Sequence, residues 1–197
     1  MGLYIFVTFE LSPFTAGGIG RVIHNQVKCM NKEERQKTII ILVNKVIDQK
    51  LFTSYFPDIQ LVHVNEQTDL TEAKNYIHPP PRSAYSNTNW HWYSALVYRK
   101  LREISLDNEI DYVEFPDFGA LGFITIQEKH LSGFLSATTL AVRLHSTSAI
   151  LFKFEPYNTT SADLNLIDLE RKSLRDCDLI IGQLEPVAET TRAVLGF

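Results

Sequence analysis

The chain has 197 residues, 45% hydrophobic and 21% charged, with a formal net charge of −4. That balance fits a globular chain with a sizeable core, as one ordinary domain or at most two small ones, and excludes a disordered tail or a disulfide-stapled miniprotein. It also gives no electrostatic reason to expect nucleic acid, since acids outnumber bases and the basic run "RKLRE" at 99–103 carries an acid of its own.

The first element is the apolar run "LYIFVTF" (3–9). It lacks a basic flank, and Glu10 and Pro13 follow before any small-residue cleavage site, so no signal peptide is expected. Further strand-like runs are "TIIILVN" (38–44), "IQLVHV" (59–64), "IDYVEF" (110–115), "TLAVRLH" (139–145) and "CDLIIG" (177–182). Their interiors are nearly continuous Ile, Val and Leu, the pattern of strands covered on both faces. Helical patterns are predicted at 19–32, 91–106, 119–131, 161–176 and 186–195. The alternation predicts an α/β domain with helices around a mostly parallel sheet. In the helix at 161–176, Ser161 is the expected N-cap and Asp163 lies in the first turn.

One stretch breaks the alternation. Residues 65–90, with Pro79, Pro80 and Pro81 in a row, are too long for an ordinary connection and read as a surface excursion with a functional use. No apolar run reaches the roughly 18 residues that span a bilayer. Peripheral membrane contact stays open, with nothing in the sequence to support it. Cys29 and Cys177 form no C-x-x-C pair and read as reduced core residues of a cytoplasmic protein.

Three of the nine glycines, Gly17, Gly18 and Gly20, fall within four positions ahead of the first helix. A dinucleotide fingerprint needs G-x-G-x-x-G directly after the strand and an acid about 20 positions on. Here the glycines come eight positions after Phe9, Ile23 fills the third glycine position, and Asn44 stands at the tip of the second strand. A dinucleotide-binding oxidoreductase is therefore the weaker alternative. A helix N-terminus left bare by glycine suits a phosphate, or an uncharged sugar in close approach; the competing reading is a loop that only needs positive φ angles.

His145, at the carboxyl end of the predicted fifth strand, would face the same crevice. A neutral imidazole there can bond a hydroxyl, or it can simply be satisfied by backbone. In "VEFPDFGALG" (113–122), Asp117 sits where an N-cap belongs before the helix from Gly119, while Glu114 can point toward the cleft. In "NWHWY" (89–93), Trp90 and Trp92 can stack on sugar faces or belong to the core. The sequence has no metal-ligand set, no G-x-S-x-G elbow and no defensible Ser/His/Asp constellation, so no metal is expected.

Taken together, Glu10, Pro13, Gly17, Gly18, Ile19 and Gly20, then "NWHWYSALVYRKL", "DYVEFPDFGALG", "VRLHST" and "LERKSLRDCDLIIGQ", follow one another in an order that resembles a known family. The resemblance is to the N-terminal domain of retaining glycosyltransferases of the GT-B fold, the family-four group related to glycogen and starch synthases. It implies a Rossmann-like three-layer domain, the acceptor-side half of an enzyme that moves a sugar from a nucleotide-sugar to a carbohydrate or other hydroxyl acceptor. The nucleotide-sugar is a co-substrate, and no cofactor is implied. By that resemblance Gly17, Gly18 and Gly20 lie beside the donor diphosphate, His145 bonds the transferred sugar, and Asp117 with Glu114 lies on the acceptor side. Acceptor selectivity is expected from 65–90 and from Trp90 and Trp92.

Two departures stand out. The lysine that synthases carry before the glycines is missing, with Thr15 and Ala16 in its place. No two glutamates stand eight apart, so the E-x7-E pair of the family's C-terminal, nucleotide-sugar-binding domain has no counterpart. The expectation is an N-terminal half that needs that second domain for activity. The non-enzymatic alternative is a Rossmann-like binding module.

Overall fold

The computed structural model describes residues 2–65, 82–155 and 158–196. The proline triplet and most of the 65–90 excursion lie outside the described residues. In chain order the elements are β1 (Leu3–Thr8), α1 (Gly18–Cys29), α2 (Lys32–Gln36), β2 (Thr38–Val43), α3 (Gln49–Tyr55) and β3 (Gln60–Val64). After a 3-10 turn at Arg82–Ala84 come α4 (Asn89–Asp107), β4 (Ile110–Pro116), α5 (Phe123–Ser132), β5 (Thr139–Arg143), α6 (Ser148–Phe154), α7 (Ser161–Asp176), β6 (Leu179–Ile181) and α8 (Glu185–Leu195).

The six strands form one all-parallel sheet in the order β3-β2-β1-β4-β5-β6. Period-two alternation sends successive side chains to opposite faces. Ile5, Val7, Ile39, Ile41, Val113, Phe115, Leu140 and Val142 pack on one face against Trp92, Leu96 and Leu101 of α4, Ile126 of α5 and Leu174 of α7. Phe6, Ile40 and Leu42 pack on the other against Ile19, Ile23 and Val27 of α1, Phe52 of α3 and Phe56 just past its end. All six residues of β2 are buried, as its unbroken Ile/Leu/Val run requires. The result is a Rossmann-like three-layer α/β domain.

Several boundaries differ from the sequence expectation. The helix predicted over 19–32 is two, because Asn31 starts a second one with a capping box to Glu34. Two seven-residue helices, α3 and α6, were not predicted; each starts at a polar cap, Asp48 or Thr147, and is too short to show a period. The cap of α7 is Thr160, one residue before Ser161, with Asp163 closing the capping box. Cys29 is exposed at the end of α1, not in the core, and Cys177 is half-buried; both thiols are free. No helix among the described residues is long and apolar enough to cross a membrane.

Candidate functional site

Strand order reverses between β1 and β4, and ligands of open parallel sheets bind beyond the strand ends at that point. A cavity of about 470 Å³ lies there, lined by Phe9, Glu10, Gly18, Ile19, Phe118, His145 and Ser146, with Gln183 and Leu184 from the approach to α8. Its size falls within the roughly 300–1,000 Å³ common for small-molecule sites.

One wall is the connection from β1 to α1. This loop is tied to itself, since Phe14 N and Thr15 N donate to Leu11 O, both at 2.9 Å, and Leu11 N donates to Thr15 Oγ1 at 2.7 Å. The three glycines have different tasks. Gly17 has φ 136°, and a Cβ on it would stand 1.9 Å from Glu10 Oε2. A Cβ on Gly20 would stand 2.6 Å from Leu11 N, so this glycine lets α1 press against the loop. A Cβ on Gly18 would meet nothing within 4 Å, and Gly18 alone of the three lines the cavity. Glu10 reaches the start of α1, where Gly20 N donates to Oε2 at 3.5 Å.

The opposite wall comes from the loops after β4 and β5. Asp117 is 2% exposed and does not cap α5, which begins at Phe123 behind a turn with Gly119 and Ala120 at positive φ. Its carboxylate instead joins the two loops: Oδ1 accepts from Phe118 N at 2.8 Å and Oδ2 from His145 N at 2.9 Å. Burial pushes Asp117 up to about 6, against the lowering effect of those backbone donors. His145 is half-buried, two residues past the end of β5, and its ring makes no hydrogen bond among the described residues. Burial, aided by the charge of Arg143, pulls its imidazole down to about 4, so the ring is neutral at pH 7.

The remaining expected residues lie outside the cavity lining. Glu114 is buried in a bidentate ion pair with Arg143, Nε–Oε1 2.6 Å and Nη2–Oε2 2.9 Å, and also accepts from Tyr112 Oη at 2.6 Å. Burial and this carboxylate push the Tyr112 phenol far above its ordinary range. Trp92 is 6% exposed, in the core beneath the sheet. Trp90 stands behind the cavity, edge-on to Phe9 at 5.1 Å and Phe118 at 5.4 Å, over Gly119, where a Cβ would come within 2.6 Å of its ring. It supports two lining aromatics without lining the cavity itself.

Sequence reasoning missed Glu170. From α7 it is fully buried and accepts hydrogen bonds from Gly119 N at 3.0 Å, Ser148 N at 2.8 Å and Ser148 Oγ at 2.9 Å. Burial, with the nearby charge of Asp117, pushes it up to about 8. A glutamate at an inward position of an amphipathic helix was the available signal. Glu10 was legible only as one member of the resemblance. No group of three His, Cys, Asp or Glu side chains placed to hold a metal ion occurs among the described residues. No protein-family model matches the chain, and a search of curated proteins found no match.

Proposed function

We propose that this chain is the acceptor-side half of a retaining glycosyltransferase, and that its cavity takes the sugar of a nucleotide-sugar donor. The observation that carries the reading is the chemistry of the lining. A neutral, unpartnered imidazole at His145 shares the cavity with the Glu10 carboxylate, and no Lys or Arg is among the described lining residues. Phe9 and Phe118 add apolar faces, so the set suits an uncharged, hydroxyl-rich ring. The carboxylate accepts from hydroxyls, while the imidazole can donate or accept.

The strand order would equally suit a dinucleotide, whose pyrophosphate rests on the N-terminus of the helix after β1. Glu10 argues against that reading, because its carboxylate already lies at the start of α1. No cation in the described lining offsets that carboxylate, so any diphosphate is disfavoured at the start of α1 itself. In the proposed reading only the sugar enters this cavity, and the donor diphosphate, expected beside the glycines, lies further out toward the second domain. Transfer with retained configuration follows from the resemblance set out above. The cations that neutralise the leaving diphosphate then come from a second domain, and electrostatic stabilisation there does most of the catalysis. Within this chain, Gly18 leaves room for the ring and His145 orients a hydroxyl.

The test is thermal melting of the 197-residue chain with UDP-glucose, GDP-mannose, free glucose or NAD, repeated with His145→Ala. A sugar-bearing ligand at a hundredfold excess over its Kd should stabilise the chain by about 2.7 kcal/mol. His145→Ala should remove most of that gain. Stabilisation by NAD alone would overturn the reading in favour of an oxidoreductase domain. Robust sugar transfer by this chain unaided would overturn the two-domain part.

A further inference from the structure

We propose that Glu170 is a positioning residue of the cavity: from the inward face of α7, its carboxylate sets the two loops that present Phe118 and His145. The inference rests on the reading of that cavity as the ligand site. Its basis is a second clamp behind the one made by Asp117. Asp117 bonds the backbone of Phe118 and His145 themselves, at 2.8 and 2.9 Å. Glu170 takes the adjoining backbone, Gly119 in one loop at 3.0 Å and Ser148, the first residue of α6 where the other loop ends, at 2.8 Å, with the Ser148 hydroxyl at 2.9 Å. Both oxygens are used, and the partners come from two different connections.

The placement is costly for a helix that only has to pack. A carboxyl at 0% exposure gives up its hydration, and burial holds Glu170 in its protonated form at neutral pH, still a polar group that needs partners. Leu166, Leu169 and Leu174 already supply α7 with an apolar face. An aliphatic side chain at 170 would extend that face and leave Gly119 N, Ser148 N and the Ser148 hydroxyl unpaired. What the glutamate adds is a forked carboxyl, long enough to reach the β4–α5 loop and the start of α6 from one point on the helix. Its effect on the site runs through Gly119, adjacent to Phe118, and through Ser148, three residues past His145.

The His145 ring reports on that effect, because its neutral state depends on how closely the loops hold it away from water. The experiment is an NMR pH titration of the His145 ring, with the amides of Phe118 and His145 followed in the same spectra. It compares the wild-type chain with Glu170→Ala, Glu170→Gln and the control Leu101→Ala, a buried α4 residue away from both loops. Glu170→Ala should raise the His145 midpoint by about one pH unit or more and move both amides. Glu170→Gln, which keeps one acceptor oxygen, should give a smaller change. Leu101→Ala should lower the melting temperature and leave the midpoint in place. If Glu170→Ala does not fold, Ser148→Ala removes only the hydroxyl bond and should still displace the His145 amide.

Lower melting temperatures with an unchanged His145 midpoint and unmoved amides would overturn the proposal and leave Glu170 a packing residue. No ligand enters this measurement. Its failure is therefore separate from failure of the sugar-binding test, and either can fail alone.

Discussion

The two walls of the cavity are built by opposite means. On the β1–α1 side the chain is brought close by removing side chains: Gly17 yields to Glu10, and Gly20 yields to the backbone of Leu11. On the β4–β5 side it is held by adding buried acids: Asp117 and Glu170 take four backbone N–H groups between them, with Ser148 Oγ as a fifth donor. The close approaches that shape the first wall are local, since Glu10, Leu11, Thr15, Gly17 and Gly20 all lie within residues 10–20. The second is assembled from β4, β5, α6 and α7, whose contacts span up to 51 residues of sequence. A local wall depends on steric room, which a single methyl group removes. A non-local wall depends on ionisation and hydrogen bonding, which pH and neutral substitutions alter.

That contrast is open to direct attack, beginning with the acid wall. Asp117→Ala strands two backbone N–H groups and should cost about 2–4 kcal/mol, read from urea unfolding. A loss no larger than that of an average surface substitution would mean that the loops hold themselves. On the glycine wall, Gly20→Ala forces a methyl group to 2.6 Å from Leu11 N and should cost about 1–3 kcal/mol.

The acid wall should also give the protein a pH dependence. Glu170 lies higher in the fold, at about 8, than its ordinary 4.5, so the folded chain holds a proton that the unfolded chain has released. This contribution is full below about 4.5 and is lost as pH rises through about 8. The lowered His145 acts in the opposite sense only below its ordinary 6.5, so the window from 6.5 to 8 isolates Glu170. Stability should fall there by about 1–2 kcal/mol, and Glu170→Gln should flatten the slope. A wild-type profile that is flat over this window would break the assignment.

The smallest stability effect should come from Gly18→Ala, whose methyl group meets open space. Its unfolding free energy should stay within about 0.5 kcal/mol of wild type. Ligand binding should nevertheless weaken by about tenfold or more, equivalent to 1.4 kcal/mol. If Gly18→Ala and Gly20→Ala behave alike, the division of labour among the glycines is wrong.

Much of the scaffold could be read in advance. The six apolar runs are the six strands, displaced by a residue or two at their ends, because the central strands are covered on both faces and need unbroken apolar sequence. β6 departs from that expectation, since Leu179 and Ile180 are exposed at the sheet edge. The long helices were legible from their 3.6-residue apolar period, while α3 and α6 were too short to carry one. Of the expected site residues, Gly18 and His145 line the cavity, and strand-end logic had pointed to both. Glu114 and Trp92 do not, since their neighbours Arg143, Tyr112 and the core lie elsewhere along the chain.

What the sequence determined by itself was the repeating α/β architecture and the presence of a glycine-rich turn at the first strand end. Both are local properties of periodicity and residue type. Only the tertiary structure decided which glycine faces open space, that Asp117 joins two loops instead of capping a helix, and that Glu170 lies behind the cavity. A side chain's role in each case depends on what stands opposite it, and those partners come from distant parts of the chain.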